Sequence, residues 1–197
     1  AVADTDPMKT NLHAYLRGAR EALVWKLDGL SEYDARRPLT PTGLNLLGLV
    51  KHVASVDVGY FGECFGRPFG EPLPWFDDDA EPNADFWVPA DVTRADVLGL
   101  AERAWAHSDA TIEALPLDAV GHVAWWGDGG ADVTLHRLLV HMATETHRHA
   151  GQADILRETI DGAVGLLPRA PNLPDVDAEW WPAYVARVEE AARAAAG

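Results

Sequence analysis

The chain reads as an all-α protein: a four-helix bundle with long loops between its helices and an extra helix toward the C-terminal end. Three observations predict it. Four segments repeat apolar residues at helical spacing over about five turns or more. Nearly all the prolines fall between those segments. Two of the segments open on side chains suited to cap a helix, at Asp6-Pro7 and at Thr93 followed by Asp96.

The first helix is expected from Pro7 to about Ser31, with Leu12, Leu16, Ala19, Leu23 and Leu27 on one face. Residues 32–43 hold Pro38, Pro41 and Gly43 and read as a connecting loop. The second helix spans about Leu44 to Cys64, with Leu46, Leu49, Val53, Val56 and Tyr60 toward the core. From Gly66 to Ala90 five prolines and the run Asp77-Asp78-Asp79 leave no period at all. Loops that long inside a compact domain are usually functional. The third helix follows Thr93 to about Leu115. Residues 116–133 form another loop, carrying His122, Trp125, Trp126 and a Gly-rich turn. The fourth helix, Leu135 to Ile160, is followed by a Pro-containing linker over 162–175 and a last helix from about Ala178 to Ala195.

A chain of 197 residues suits one domain over 1–197, with a core of about 7–162 and a C-terminal extension over 163–197. Hydrophobic content of 48% with 24% charged residues is that of a soluble globular protein. A formal net charge of −15 argues against nucleic acid or an anionic membrane surface as partner, since both require basic patches. Cys64 is the single cysteine, so neither an internal disulfide nor a cysteine-based zinc knuckle can form. It continues an apolar helix face and is expected to be an inert buried thiol. No secretory leader pattern and no apolar run of membrane-spanning length occurs, so a cytoplasmic protein is expected. Lys9, Lys26 and Lys51 are the only lysines among 16 Lys and Arg, a bias that points to a high-GC genome.

Chemistry concentrates in the fourth helix. On a wheel centred on Met142, Glu145 and His149 both lie within about 60° of the middle of the apolar stripe. An ionised carboxylate facing a core needs compensation. Residues four apart stand about 6 Å apart on one helix face, close enough for a carboxylate and an imidazole to reach one ion. His141 continues the series, but it stands about 12 Å from His149 and toward the stripe's edge. His136 and His147 point to the polar side. A third ligand must come from a facing helix, and His52 is the best placed, with Asp57 as the fallback ligand or as a partner for an imidazole N–H. Periodicity alone leaves a second reading open, in which Glu145 pairs with an arginine and His149 is a satisfied core histidine.

The stretch from Leu46 to Phe61, LLGLVKHVASVDVGYF, resembles the second helix of the DinB-like superfamily of metal-binding four-helix bundles, and in particular its mycothiol-dependent transferase branch. That branch is related to the N-terminal domain of mycothiol-dependent maleylpyruvate isomerase. The stretch from His141 to Gln152, HMATETHRHAGQ, resembles the family's later ligand helix, and Leu27 to Pro38 its first loop. The likeness covers roughly residues 7–162. It implies that His52, Glu145 and His149 are metal ligands, most simply for zinc, and that Glu145 stands where many relatives outside the mycothiol branch carry His. It further implies an enzyme that joins mycothiol or a similar thiol to an electrophilic small molecule in detoxification, from an actinobacterial source, as a monomer or homodimer. The thiol-dependent isomerases carry an additional C-terminal domain for which about 35 residues leave no room, which favours transfer over isomerisation.

On this reading metal coordination deprotonates the thiol and holds its sulfur. Trp125, Trp126 and Trp75, in the two long loops, would wall the pocket, and Asp57 and Tyr60 are further candidates for its lining or for catalysis. Two other functions share the ligand set. A zinc-bound water could hydrolyse a substrate with no thiol. A non-catalytic protein of stress or resistance could bind a metal or ligand without product.

Overall fold

Each long helix of the bundle begins where a side chain caps it. The carboxylate of Asp6 accepts from the Met8 N–H at the start of α1 (Pro7–Trp25). The Asn45 amide oxygen accepts from Gly48 at the start of α3 (Leu46–Phe61). Thr93 and Asp96 form the full reciprocal box that opens α4 (Arg94–Ala114). The Thr134 hydroxyl accepts from Arg137 at the start of α5 (Leu135–Asp161). The computed structural model describes residues 6–197, so residues 1–5 of the expected single unit lie outside the described residues.

Two stretches expected to be loop are not. The first helix ends at Trp25, short of Ser31, because Ser31 caps a separate short helix, α2 (Glu32–Arg36), by accepting from the Asp34 N–H. Within 116–133 the chain forms an antiparallel hairpin, β1 (Val120–Val123) and β2 (Ala131–Thr134), with Val120 opposite Thr134 and Val123 opposite Ala131. Gly127, Gly129 and Gly130 all have positive φ in its turn, which is what the Gly-Asp-Gly-Gly sequence supplies. The last helix, α6 (Trp180–Ala195), lies where expected, and every one of its residues is at least partly exposed. The architecture is the all-α, DinB-like bundle. Among the described residues no helix is long and apolar enough to cross a membrane.

The helix directions follow from who touches whom. His52 of α3 meets His149 of α5, while Tyr60 meets His141, so these two helices are antiparallel. Arg67, just past α3, donates to the Thr111 hydroxyl near the end of α4, so α3 and α4 run the same way. Parallel neighbours need a connection that travels back along the bundle. Residues 62–93 make that return, and they lie against α3 as they do so.

Two apolar clusters fill the bundle. One joins Leu47, Val50, Val53 and Ala54 of α3 to Val97, Ala101 and Ala104 of α4. The other joins Leu16 of α1 and Phe61 to Leu135, Leu138, Leu139 and Met142 of α5, with Val123 and Val133 of the hairpin closing it. The hairpin is therefore part of the core's wall. Cys64 is buried there, and burial, reinforced by Glu63, pushes its thiol up to about 11, which leaves it inert as expected.

Leu139 is fully buried in the second cluster. Leu139→Ala should lower the free energy of unfolding by about 2–5 kcal/mol in urea titrations. A loss below about 1 kcal/mol would show that this cluster does not hold α5 in place.

Candidate metal centre

His52 projects from the middle of α3, and Glu145 and His149 from successive turns of α5. One potential ligand atom from each lies within 4.8 Å of the others. The structure thus brings together the three residues that the sequence singled out and leaves His141 apart, against Tyr60 and Trp126. His136 and His147 are exposed, as expected. Glu145 departs from expectation in one respect: about a third (34%) of its side chain is accessible, because it sits at the edge of α5 facing a cavity and not under the core.

Both imidazoles are held from behind. The Nδ1–H of His52 donates to Asp85 Oδ2 at 2.6 Å, and Phe86 stacks on the ring with centroids 3.9 Å apart. Burial holds this imidazole below the usual histidine range, against the pull of Asp85, so it stays neutral with its Nε2 lone pair free. His149 Nδ1 bonds Gln152 Oε1 at 2.8 Å, and its Nε2 lies 3.0 Å from Glu145 Oε1. With Nδ1 donating to the amide oxygen, Nε2 is left to meet the carboxylate through a ring proton or through a cation. Two acceptors at that distance require a shared proton or cation between them. Two imidazoles oriented by outer partners plus one carboxylate is a donor set suited to zinc. These residues fit a divalent metal.

Asp85 and Phe86 were not singled out in the sequence, and their positioning depends on the returning segment lying tight on α3. Lys51, itself buried, donates to the carbonyls of Ala84 at 2.7 Å and Trp87 at 2.9 Å. Burial lowers the pKa of this ammonium, and its charge also rests on the face of Trp75, 4.1 Å from the ring centroid. Asn45 donates to the Phe86 carbonyl at 3.0 Å. Gly48 makes the approach possible, since a Cβ there would stand 1.8 Å from the Phe86 carbonyl oxygen.

Asp57 is a correction. Its carboxylate points to the other side of α3, where Arg20 pairs with it and with Asp109, and Asp109 also bonds His13. Complete burial nonetheless pushes Asp57 up to about 6. It touches neither His52 nor His149, and its place as the imidazole's partner is taken by Asp85. The wheel placed Asp57 near the apolar face correctly, but that face is wide enough to include the α1–α4 side.

One cavity opens on the cluster, and a second lies further along α3. The first, of about 470 Å³, contains Glu145 and His149 and is lined further by Thr42, Asn83, Arg148 and Gln152. The other, of about 640 Å³, lies toward the C-terminal end of α3 between Val56, Gly59, Tyr60 and the returning segment, with Trp125 as one wall. Trp125 and Trp126 both donate to the Tyr60 hydroxyl, and Trp75 donates to Ser55 Oγ. Of the three indoles named from the sequence, Trp125 lines a cavity while Trp75 and Trp126 serve to anchor their loops.

The geometry is that of a helical bundle with a His/Glu/His cluster that could hold a metal ion, and comparison with known families narrows it. The family model for mycothiol-S-transferases matches residues 11–162. The chain belongs to the mycothiol-S-transferase family. No curated protein matches it at a significant level.

Gly48→Ala tests how the returning segment is held. In an exposed helix this substitution stabilises by about 1 kcal/mol; here it should raise amide hydrogen exchange over residues 84–87 at least tenfold while α5 is unaffected. Unchanged exchange over 84–87 would contradict the contact.

Proposed function

We propose that the protein is a metal-dependent thiol S-transferase, which uses His52, Glu145 and His149 to hold a divalent ion, most simply zinc, and joins mycothiol to an electrophilic small molecule as a detoxification reaction. The observation that carries this reading is the cluster itself: one potential ligand atom each from His52, Glu145 and His149 lies within 4.8 Å of the others, at the wall of a cavity. When bound, the ion would supply a positive centre that lowers the pKa of a thiol and favours its thiolate.

The chain's own residues set the terms for that chemistry. Two neutral imidazoles and one carboxylate cancel only one of the two charges of a divalent ion, so the cluster favours an anion as its remaining partner. A thiolate meets that need and a neutral thiol does not. Asp85 and Gln152 fix both rings, and the stacked Phe86 keeps water from one side of His52. Thr42, Asn83, Arg148 and Gln152 give the adjoining cavity hydroxyl, amide and guanidinium groups, which suit the hydroxyl-rich sugar body of mycothiol. The acidic chain is compatible with a thiol that bears no strong negative charge.

Elemental analysis of the purified protein should find about one divalent ion per chain, and mass spectrometry should detect the mycothiol conjugate of a reactive electrophile. Glu145→Ala should lose the ion and reduce the catalysed rate by at least 100-fold. Metal retained at full occupancy in that variant would contradict the ligand assignment. Product formed without any thiol would indicate hydrolysis in place of transfer.

A further inference from the structure

The larger cavity and Tyr60 together indicate which electrophiles the protein accepts. Val56, Leu73, Phe76 and Trp125 give the cavity an apolar lining, and its charged lining residues are the exposed Glu63 and Glu71. Such a cleft favours neutral apolar molecules and repels anions.

Two uncharged polar side chains, Ser55 and Tyr60, are set into that wall, and the Ser55 hydroxyl already donates to the Lys51 carbonyl. The Tyr60 oxygen accepts the indole N–H of Trp125 at 3.2 Å and that of Trp126 at 3.1 Å. An indole nitrogen can only donate, so both lone pairs of the phenol oxygen are occupied. What remains is the O–H, which can only donate outward. Among the described residues no acceptor takes it. The ring is pinned as well, edge-on to His141 with centroids 4.9 Å apart.

Tyr60 lies two turns from His52 on α3, and His141 lies two turns from His149 on α5, with Glu145 between them. Eight residues rise about 12 Å, and the Tyr60 ring lies against His141, one turn from Glu145 on α5. An electrophile whose oxygen meets the Tyr60 hydroxyl therefore lies beside the end of α5 that leads to Glu145.

We propose that the Tyr60 hydroxyl donates a hydrogen bond to the electrophile's oxygen, and that the protein selects neutral, apolar α,β-unsaturated carbonyl compounds. The proposal rests on the transferase reading. The thiolate sulfur forms a C–S bond to the β-carbon, and the C=C π pair shifts to place negative charge on the carbonyl oxygen. Tyr60 stabilises that charge as it develops. The proton lost by the thiol is returned at the α-carbon through solvent, so the reaction is a net addition and needs no oxidant or reductant.

The test compares wild type and Tyr60→Phe, both metal-loaded, with mycothiol and two probes: phenyl vinyl ketone, and benzyl bromide, which has no oxygen to accept a bond. The expected result is a fall of about 10²–10³ in kcat/KM above background for the ketone, with benzyl bromide changed by less than about threefold. An equal fall on both probes would assign Tyr60 a role in holding Trp125 and Trp126 only, and would overturn the proposal. So would an unchanged rate on the ketone. If wild type transfers thiol to neither probe, the transferase reading fails and takes this proposal with it; transfer by wild type with either overturning result fails this proposal alone.

Discussion

The parallel run of α3 and α4 is the constraint on which the site depends. Had the two helices been antiparallel, a few residues would have joined them. Because they are parallel, the chain must travel back from Gly62 to Thr93 along the bundle, and it does so over the face of α3 that carries His52. That passage delivers Asp85 to the imidazole N–H and Phe86 to the ring face. A proline-rich segment with only single 3-10 turns, one of them at Ala84–Phe86, stays in place because α3 reaches up to it with Asn45 and Lys51 and leaves room for it at Gly48. The loop is thereby as much a part of the site as the helices are.

The two sides of α3 show how differently buried charge is handled. On the α1–α4 side, Asp57 is matched by Arg20, and Asp109 and His13 complete the network, so the charges are answered within the chain. On the α5 side, the Glu145 carboxylate faces an imidazole nitrogen across 3.0 Å and the ring's other nitrogen is already committed to Gln152. The first arrangement pairs its charges within the chain, although Arg20 Nε and Asp57 Oδ1 are buried without a hydrogen bond. The second is satisfied by a proton or by a cation, and it adjoins a cavity.

Much of this was legible in the residues. Helical periodicity located α1, α3, α4 and α5, since each buries one continuous stripe, and caps marked the starts of α1 and α4. Glu145 and His149 could be found because a helix makes i and i+4 neighbours. His52 needed the resemblance, for the wheel put it only at the border of the apolar face. The hairpin was missed although its Gly-Asp-Gly-Gly turn is a hairpin signal, because its strands of four residues are too short for alternation to show. Asp85 and Phe86 were out of reach: no periodicity runs through the returning segment, and its contacts are set by the direction of helices far apart in sequence. Asp57 was misplaced for a related reason, since a helical wheel gives an angle and not the identity of the neighbour.

The central claim is that three side chains hold an ion whose remaining position takes a thiol. Zinc K-edge X-ray absorption of the zinc-loaded protein, with and without mycothiol, tests it directly. Without thiol the spectrum should show nitrogen and oxygen scatterers only, two of them imidazoles; with thiol, one sulfur should appear at about 2.3 Å. A coordination shell that gains no sulfur on adding mycothiol would contradict the account.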